Sequence, residues 1–357
     1  MPPPLITHLY TADPSAHVFE GRLYIYPSHD RDTGVPSNDS GDQYDMADYH
    51  VFSLSSLSSP SPSSSPSSPS SSSSPPVVPT VTDHGPVLSA SDVPWASRQL
   101  WAPDAARHPG TGAYHLYFPA RDRSGAGIFR IGVAVGTAGP AGPFVADPEP
   151  IRGSFSVDPA AFVDPSDDAA YLYFGGLWGG QLQCWQGKGK DGGPDEFDES
   201  QLGPREPSGA GVPALCPKVA VLDASMRGFA APPADLVILA PETGEPVLAD
   251  DHERRFFEAA WMHKRGDTYY FSYSTGDTHY LVYATSKSPL GPFTYAGRIL
   301  EPVLGWTTHH SIVEFEGRWW LFYHDCELSG GVSHLRCVKV TEIFYDDEGR
   351  ILPVKID

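Results

Sequence analysis

Apolar and aromatic residues along this chain fall into short runs of four to eight, rich in Tyr, Phe, Trp, Val and Ile and bounded by Gly, Pro, Asp and Ser. Runs of that length with those borders predict β-strands. Helical periodicity is scarce, and residues 223–238 (DASMRGFAAPPADLVI) predict at most a short turn of helix. One arrangement recurs: a polar head, small residues, a strand, a Gly or Asp turn, then an aromatic strand. Its five copies are ADPSAHVFEGRLYIYPS, APDAARHPGTGAYHLYFPA, VDPAAFVDPSDDAAYLYFGG, EAAWMHKRGDTYYFSYST and HHSIVEFEGRWWLFYHD. The heads are Asp13, Asp104, Asp158, Glu258 and His309. The step from head to the first aromatic of the second strand changes little: Asp13 to Tyr24, Asp104 to Tyr114, Asp158 to Tyr171, Glu258 to Tyr269 and His309 to Trp319. A third strand often follows. IFRIGVAVGTAGPAGPF and YLVYATSKSPLGPF are close relatives that both end in Gly-Pro-Phe.

A small antiparallel sheet cannot bury both of its faces alone. Five such units packed radially leave only short edges, so the pattern predicts an all-β fold, a five-bladed β-propeller formed as a single domain over residues 1–357. A β-sandwich or a two-domain β protein is the competing arrangement. Residues 55–80 (SSLSSPSPSSSPSSPSSSSSPPVVPT) interrupt the pattern. Almost all Ser and Pro, they are expected to form a disordered surface loop that catalysis does not need.

Composition narrows the partners. The 357 residues carry 44 acidic and 24 Lys or Arg side chains, a formal charge of −20. Such a surface repels phosphate backbones and anionic lipid heads, so no nucleic-acid or membrane partner is expected, whereas a neutral sugar fits. No apolar run approaches the roughly 20 residues that cross a bilayer. The start, MPPPLITHLY, lacks a basic region followed by an apolar one. Cys184, Cys216, Cys326 and Cys337 show neither zinc-site spacing nor a disulfide framework. Both observations lead to an expectation of cytoplasmic location, with secretion as the alternative. Asn38-Asp39-Ser40 is formally a glycosylation acceptor, without meaning in that compartment.

In a propeller the first strand of each blade lines a central channel. The five heads would then meet there as a ring of carboxylates plus one imidazole. Crowded carboxyls push at least one pKa upward while others stay ionised, which is the requirement for glycosidic bond hydrolysis. Asp13 precedes Pro14, where a carboxylate also serves as a strand cap. Asp158 has apolar neighbours, a costly setting unless the carboxyl is paired or used. Glu258 is flanked by Phe256, Phe257 and Trp261, surroundings that suit a general acid, although Arg254 or Arg255 offers a salt bridge instead. Asp104 is read as structural, turned inward onto backbone amides. His309 is left open between a buried hydrogen-bonded histidine, a metal ligand and a substrate contact. Trp101 and Trp178 lie beside heads or in Gly-rich loops, where rings stack on sugar faces.

At TADPSAHVFEGRLYIYPSHD, YDMADYHVFS, QLWAPDAARH, SVDPAAFVD, FFEAAWMHK, YYFSYSTGDTHY and GWTTHHSIVEFEGRWWLFYHD the sequence resembles glycoside hydrolase family 43, the five-bladed β-xylosidases and α-L-arabinofuranosidases. The resemblance spans nearly the whole chain. It implies hydrolysis with inversion, with Asp13 as general base, Glu258 as general acid and Asp158 as modulator of the acid's pKa. It implies substrate contacts for Trp101 and Arg336, with Trp178 and His279 added by loop position. His309 matches a channel histidine that in some relatives contacts a calcium ion, so a structural Ca2+ is a candidate there, while the chemistry requires no cofactor. Many β-xylosidases of the family carry a C-terminal β-sandwich. This sequence ends right after the fifth unit, so closure of the pocket is expected from loops or another subunit. The expected activity is release of xylose from the non-reducing ends of xylo-oligosaccharides or arabinoxylan fragments. The alternatives are an α-L-arabinofuranosidase and a non-catalytic carbohydrate-binding propeller.

Overall fold

The structure is a computed structural model that describes residues 2–57, 79–124, 126–188, 195–306 and 308–355. Its innermost strands are Tyr10–Phe19, Asp104–Arg107, Ala160–Val163, Glu258–Arg265 and His310–Phe315, one for each predicted head. Each touches the next in chain order, and the last touches the first, so the five form a closed ring. This is a five-bladed β-propeller.

Each blade extends outward from its inner strand by antiparallel pairing. Blade one runs from Tyr10–Phe19 through Arg22–Asp30 and Asp48–Leu54 to Thr82–Ser89. In blade four, Glu258–Arg265 leads to Thr268–Ser274, Leu281–Ser286 and Phe293–Leu300, and Ile238–Leu239 adds a parallel outer strand. Blade five has three strands, His310–Phe315, Arg318–Asp325 and Cys337–Ile343. Blade three carries a small extra ribbon, Trp185–Lys188 with Asp195–Phe197. Residues 223–238 hold turns and short strands, not the turn of helix that the sequence allowed. Asp, Ser and Gly there bond their own neighbours, as where Asp223 accepts from the Ser225 amide.

The core is five apolar layers, one between each pair of adjacent blades. Phe52 and Leu54 of blade one meet Phe322 and Val338 of blade five, and Tyr49 meets Leu116 and Phe118 of blade two. Tyr117 and Ile131 of blade two meet Leu172 and Phe174 of blade three. Tyr173 meets Phe271 between blades three and four, and Tyr283 meets Leu321 and Tyr323 between blades four and five. This explains the aromatic second strands, because a sheet sandwiched between two neighbours buries both faces and large flat side chains fill the space. The ring closes where the Leu5 amide donates to Val338 O at 2.8 Å and the Thr11 amide to Arg336 O at 3.0 Å.

Most of the Ser/Pro segment, residues 58–78, lies outside the described residues. The strands that flank it pair, with Ser53 opposite Thr82, so the chain on its two sides is joined at about one strand spacing, roughly 5 Å, at those residues. Replacing residues 58–78 by a short Gly/Ser turn is therefore expected to leave the fold and hydrolysis intact. Comparing thermal unfolding and turnover of the shortened and full chains checks this; loss of activity would show that the segment contributes to the site.

Candidate active site

One end of the channel opens into a cavity of about 360 Å³. Asp13, Asp158, Glu258, His309 and Arg336 line it, together with Trp101, Trp178, Phe257, Trp306 and the loop from Ser37 to Met46. Three acids far apart in the sequence thus meet in one space. The propeller brings each head to the channel, and local backbone irregularity aims it. Asp13 sits at φ +50° inside a register shift between Ala12 and Ser15. Glu258 borders a second shift, which ends at Trp261. Asp158 has φ +56° and Ala259 φ +65°. Bulges re-aim side chains out of the regular alternation, and non-glycine residues held at positive φ cluster at functional sites.

Asp13 is the most tightly held of the acids. Arg336 Nη1 donates to its Oδ1 at 2.9 Å and the Ser28 hydroxyl to its Oδ2 at 2.6 Å. Its amide donates to His324 Nδ1 at 3.0 Å. Arg336 is itself clamped, with Nε and Nη2 each 2.8 Å from the Asp30 carboxylate and its own amide donating to the same group at 2.9 Å. Burial alone would raise the Asp13 carboxyl. The Arg336 guanidinium above all, with the Ser28 hydroxyl, outweighs it and holds the pKa at about 2, below the ordinary 3.8. Asp13 is therefore an anion at any ordinary pH.

Asp158 goes the other way. It accepts from the Ala259 amide at 2.8 Å, and that amide belongs to the residue directly after Glu258. Burial and the adjacent Glu258 charge push its carboxyl well above the usual range, against the pull of the Ala259 amide. The titration of Asp158 is thereby coupled to that of the half-buried Glu258, and the repulsion between the two charges favours a shared proton. His309 Nδ1 stands between the two sides, 3.9 Å from Asp13 Oδ1 and 3.9 Å from Asp158 Oδ1. Burial, with Arg336 adding to it, lowers the His309 pKa, so the imidazole is neutral. The two arginines beside Glu258 in the sequence are engaged elsewhere: Arg254 binds Asp251 and Glu242, and Arg255 binds Glu206 and Asp277.

The other candidates separate clearly. Asp104 does not reach the cavity mouth. It accepts from the Ala161 amide at 2.5 Å, lies 2.6 Å from His17 Nε2 and is bonded by Ser15, which ties three inner strands together. Trp101 lines the cavity and is fixed by its Nε1, which donates to Tyr44 O at 2.7 Å. Gly41 packs against it: at φ +74°, a Cβ on residue 41 would lie 2.7 Å from the Trp101 ring, so the loop passes only as glycine. Trp178 stacks on Trp306 with ring centroids 5.8 Å apart. His279 does not line the cavity. It packs edge-on against the back of Trp306, with centroids 4.8 Å apart, which makes it a support for the aromatic wall. His309 offers one nitrogen, whereas calcium takes about six to eight oxygen ligands. Its carboxylate neighbours are engaged by Arg336, Ser28 and the Ala259 amide, so these residues do not build a calcium cage and no chemical step is assigned to a metal.

Sequence reasoning missed Asp30, Ser28, His324, Trp306 and the loop from Ser37 to Met46. Ser28 and Asp30 had a readable signal, being alternate residues on the strand paired with the one that carries Asp13, where Ala12 lies opposite Ser28. Trp306 stood inside the GWTTHH motif, without a strand period to assign its direction.

A model of the glycosyl hydrolases family 43 matches residues 235–351. The chain is 65% identical over 352 residues to the xylosidase/arabinosidase 43A of Humicola insolens, covering 99% of each protein. The chain belongs to glycoside hydrolase family 43. It is also 45% identical over 346 residues to a β-xylosidase of Xylanibacter ruminicola, covering 97% of each. Among solved structures it matches a family 43 β-xylosidase/α-arabinofuranosidase from a compost microbial metagenome, determined with xylotriose in a calcium-free form. That match has a TM-score of 0.87 and 53% identity over 99% of this chain and 97% of the other. This family 43 protein is thus a glycoside hydrolase, and the family inverts the anomeric centre without a cofactor for the chemistry.

The Arg336 clamp makes a pH prediction. Because the folded Asp13 pKa lies below the ordinary value, its share of stability is fully present above about pH 4 and is lost as pH falls through about 2. Arg336→Lys keeps a charge but loses the planar fork. The variant is expected to lose on the order of 10²-fold in kcat/KM through misplacement of Asp13. The acidic limb of its pH profile is expected to move to higher pH, as burial regains weight. Steady-state kinetics across pH read both effects; an unmoved acidic limb would separate Arg336 from Asp13 ionisation.

Proposed function

We propose that this family 43 enzyme is an exo-acting β-xylosidase that releases xylose from the non-reducing ends of xylo-oligosaccharides. The observation that carries the mechanism is the opposite electrostatic fate of two buried carboxyl sites in one cavity. Asp13 is held ionised, while burial and the neighbouring Glu258 charge push the Asp158 carboxyl upward. Inverting hydrolysis needs this division.

Asp13 acts as general base. Both of its oxygens are fixed by donors, so its remaining lone pairs are aimed, and it takes a proton from the water that attacks the anomeric carbon. Glu258, on the half-exposed side of the pair, gives its proton to the departing glycosidic oxygen. Asp158 holds the amide next to Glu258, and repulsion between the two carboxylates favours one proton on the pair, which we place on Glu258. His309 spaces the two sides as a neutral ring. Arg336 has two roles, positioning Asp13 and offering a cation at the cavity wall to sugar hydroxyls. Trp101, Trp178 and Trp306 supply apolar faces on which a pentose ring stacks. A cavity of about 360 Å³, walled by the loop from Ser37 to Met46, suits removal of one terminal sugar rather than cleavage within a long chain.

A second reading has specific support. The Humicola insolens and Bacteroides ovatus relatives, at 65% and 48% identity, are both named xylosidase/arabinosidase. The same three acids serve a β-xylopyranoside or an α-L-arabinofuranoside, and the pocket walls decide between them. Four free thiols, three of them buried, support a reducing, cytoplasmic location.

Two measurements test the proposal. Proton NMR of a xylobiose digest is expected to show α-xylose first, and an initial β-product would refute inversion. Glu258→Ala is expected to lower turnover of unactivated xylobiose by about 10²–10⁴-fold, with a smaller loss on aryl β-xylosides whose leaving group needs no proton. Equal losses on both would remove Glu258 from the acid role. If aryl α-L-arabinofuranoside is cleaved faster than aryl β-xyloside, the second reading replaces the first.

A further inference from the structure

Away from the channel, blade one carries a cluster of histidines and aspartates that the hydrolytic site does not use. Ser28 pairs with Tyr49, so His29 comes level with Asp48 on the neighbouring strand, and His50 follows two residues on along the same face. The period of two in a strand therefore puts all three side chains on one surface. One ligand atom from each of His29, Asp48 and His50 lies within 4.8 Å of the others. His29 Nδ1 is 2.6 Å from Asp48 Oδ1, and the two imidazole centroids are 5.0 Å apart. The three are half-buried, with side-chain exposures of 15%, 26% and 13% for His29, Asp48 and His50, so an ion can enter and is partly shielded once there.

The surroundings resemble a ligand set with outer support. His50 Nδ1 lies 3.1 Å from Asp83 Oδ1 on the fourth strand, and Asp83 Oδ2 lies 2.9 Å from His8 Nε2. A carboxylate behind a ligating imidazole fixes its ring and tautomer and leaves the other nitrogen to face the metal. Beneath the cluster, His50 stacks on buried Phe52, which limits its rotation.

We propose that His29, Asp48 and His50 form a binding site for a divalent transition-metal ion of the zinc class, with Asp83 orienting His50. Two imidazoles and one carboxylate suit zinc, which takes His nitrogen at about 2.0–2.1 Å and carboxylate oxygen at about 2.0–2.2 Å and leaves a fourth position for water. The same set suits calcium or magnesium poorly, because those ions select oxygen. The net charge of −20 favours cations at the surface. An ion here staples the second strand of blade one to the third. The second strand also carries Ser28 and Asp30, the supports of Asp13 and Arg336, so the staple lies directly behind the base.

The test uses the full chain and Zn2+ alone. Protein stripped with chelator, incubated with Zn2+ and freed of excess is expected to retain one zinc per chain by mass spectrometry. Asp48→Ala and His50→Ala are expected to retain none, while His108→Ala, on another blade, retains it. Zn2+ is expected to raise the Tm of the wild type and not of the two variants. Continued hydrolysis by the variants reports that they are folded. If either variant fails to fold, the visible spectrum of wild type loaded with Co2+ decides, since ligation by two imidazoles in a four- or five-coordinate site gives intense bands that Zn2+ abolishes. Absence of retained zinc, zinc retained in the folded variants, or a Co2+ spectrum like that of the free ion would each overturn the site.

Discussion

The bridge Asp30–Arg336–Asp13 is the interaction on which the rest of this molecule turns. It joins the first blade to the last, where the ring must close. Nearly every donor of the guanidinium on this side is spent on two carboxylates, and the backbone amide of Arg336 adds another bond to Asp30. A buried charge is costly unless paired, and removing one member of such a set leaves the others uncompensated, at about 3–5 kcal/mol. The same contact therefore serves two ends. It fixes the geometry of closure between blades one and five, and it keeps Asp13 an anion in a place where burial would protonate it.

That electrostatic choice sets the pattern for the opposite wall. Asp158 is no more exposed than Asp13, each at 6%, yet its carboxyl is displaced in the other direction. The difference lies in the partners. Asp13 has a guanidinium and a hydroxyl, and Asp158 has one amide and a neighbouring acid. Burial thus amplifies whichever neighbour each carboxyl has, and one cavity holds carboxyls displaced in opposite directions. His309, neutral and equidistant from the two sides, keeps them apart without adding a charge of its own.

Much of this was legible in the sequence because the repeat is physical. Each blade needs an inner strand, a tight turn and an aromatic strand that packs against two neighbours, so the five heads could be aligned by spacing alone. Asp13, Asp158 and Glu258 followed from that alignment, and Asp104 followed from its position after a proline. What stayed hidden depends on direction, not on period. Asp30 and Ser28 look like ordinary residues near a strand end until register puts Ser28 opposite Ala12. His279 and Trp306 lie in loops, where no period assigns a facing side, and the ring that reaches the cavity turned out to be Trp306, with His279 behind it. The loop from Ser37 to Met46 is short, polar and rich in turn residues. Its role as a wall emerges only from its packing on Trp101, through a glycine that leaves room for the indole.

The same distinction explains why one scaffold accommodates two pentose specificities among its relatives. The acids sit on inner strands whose positions are fixed by closure of the ring, so their mutual geometry is common property of the fold. The walls are built from connections between strands: the Trp101 turn, the Trp178 segment, the Trp306 loop and the 37–46 loop. A sugar's ring size and anomeric configuration are read by those walls, while the proton transfers are not. A change of preference between xylopyranose and arabinofuranose can therefore arise in loops without disturbing Asp13, Asp158 or Glu258, because no backbone bond of the inner ring has to move.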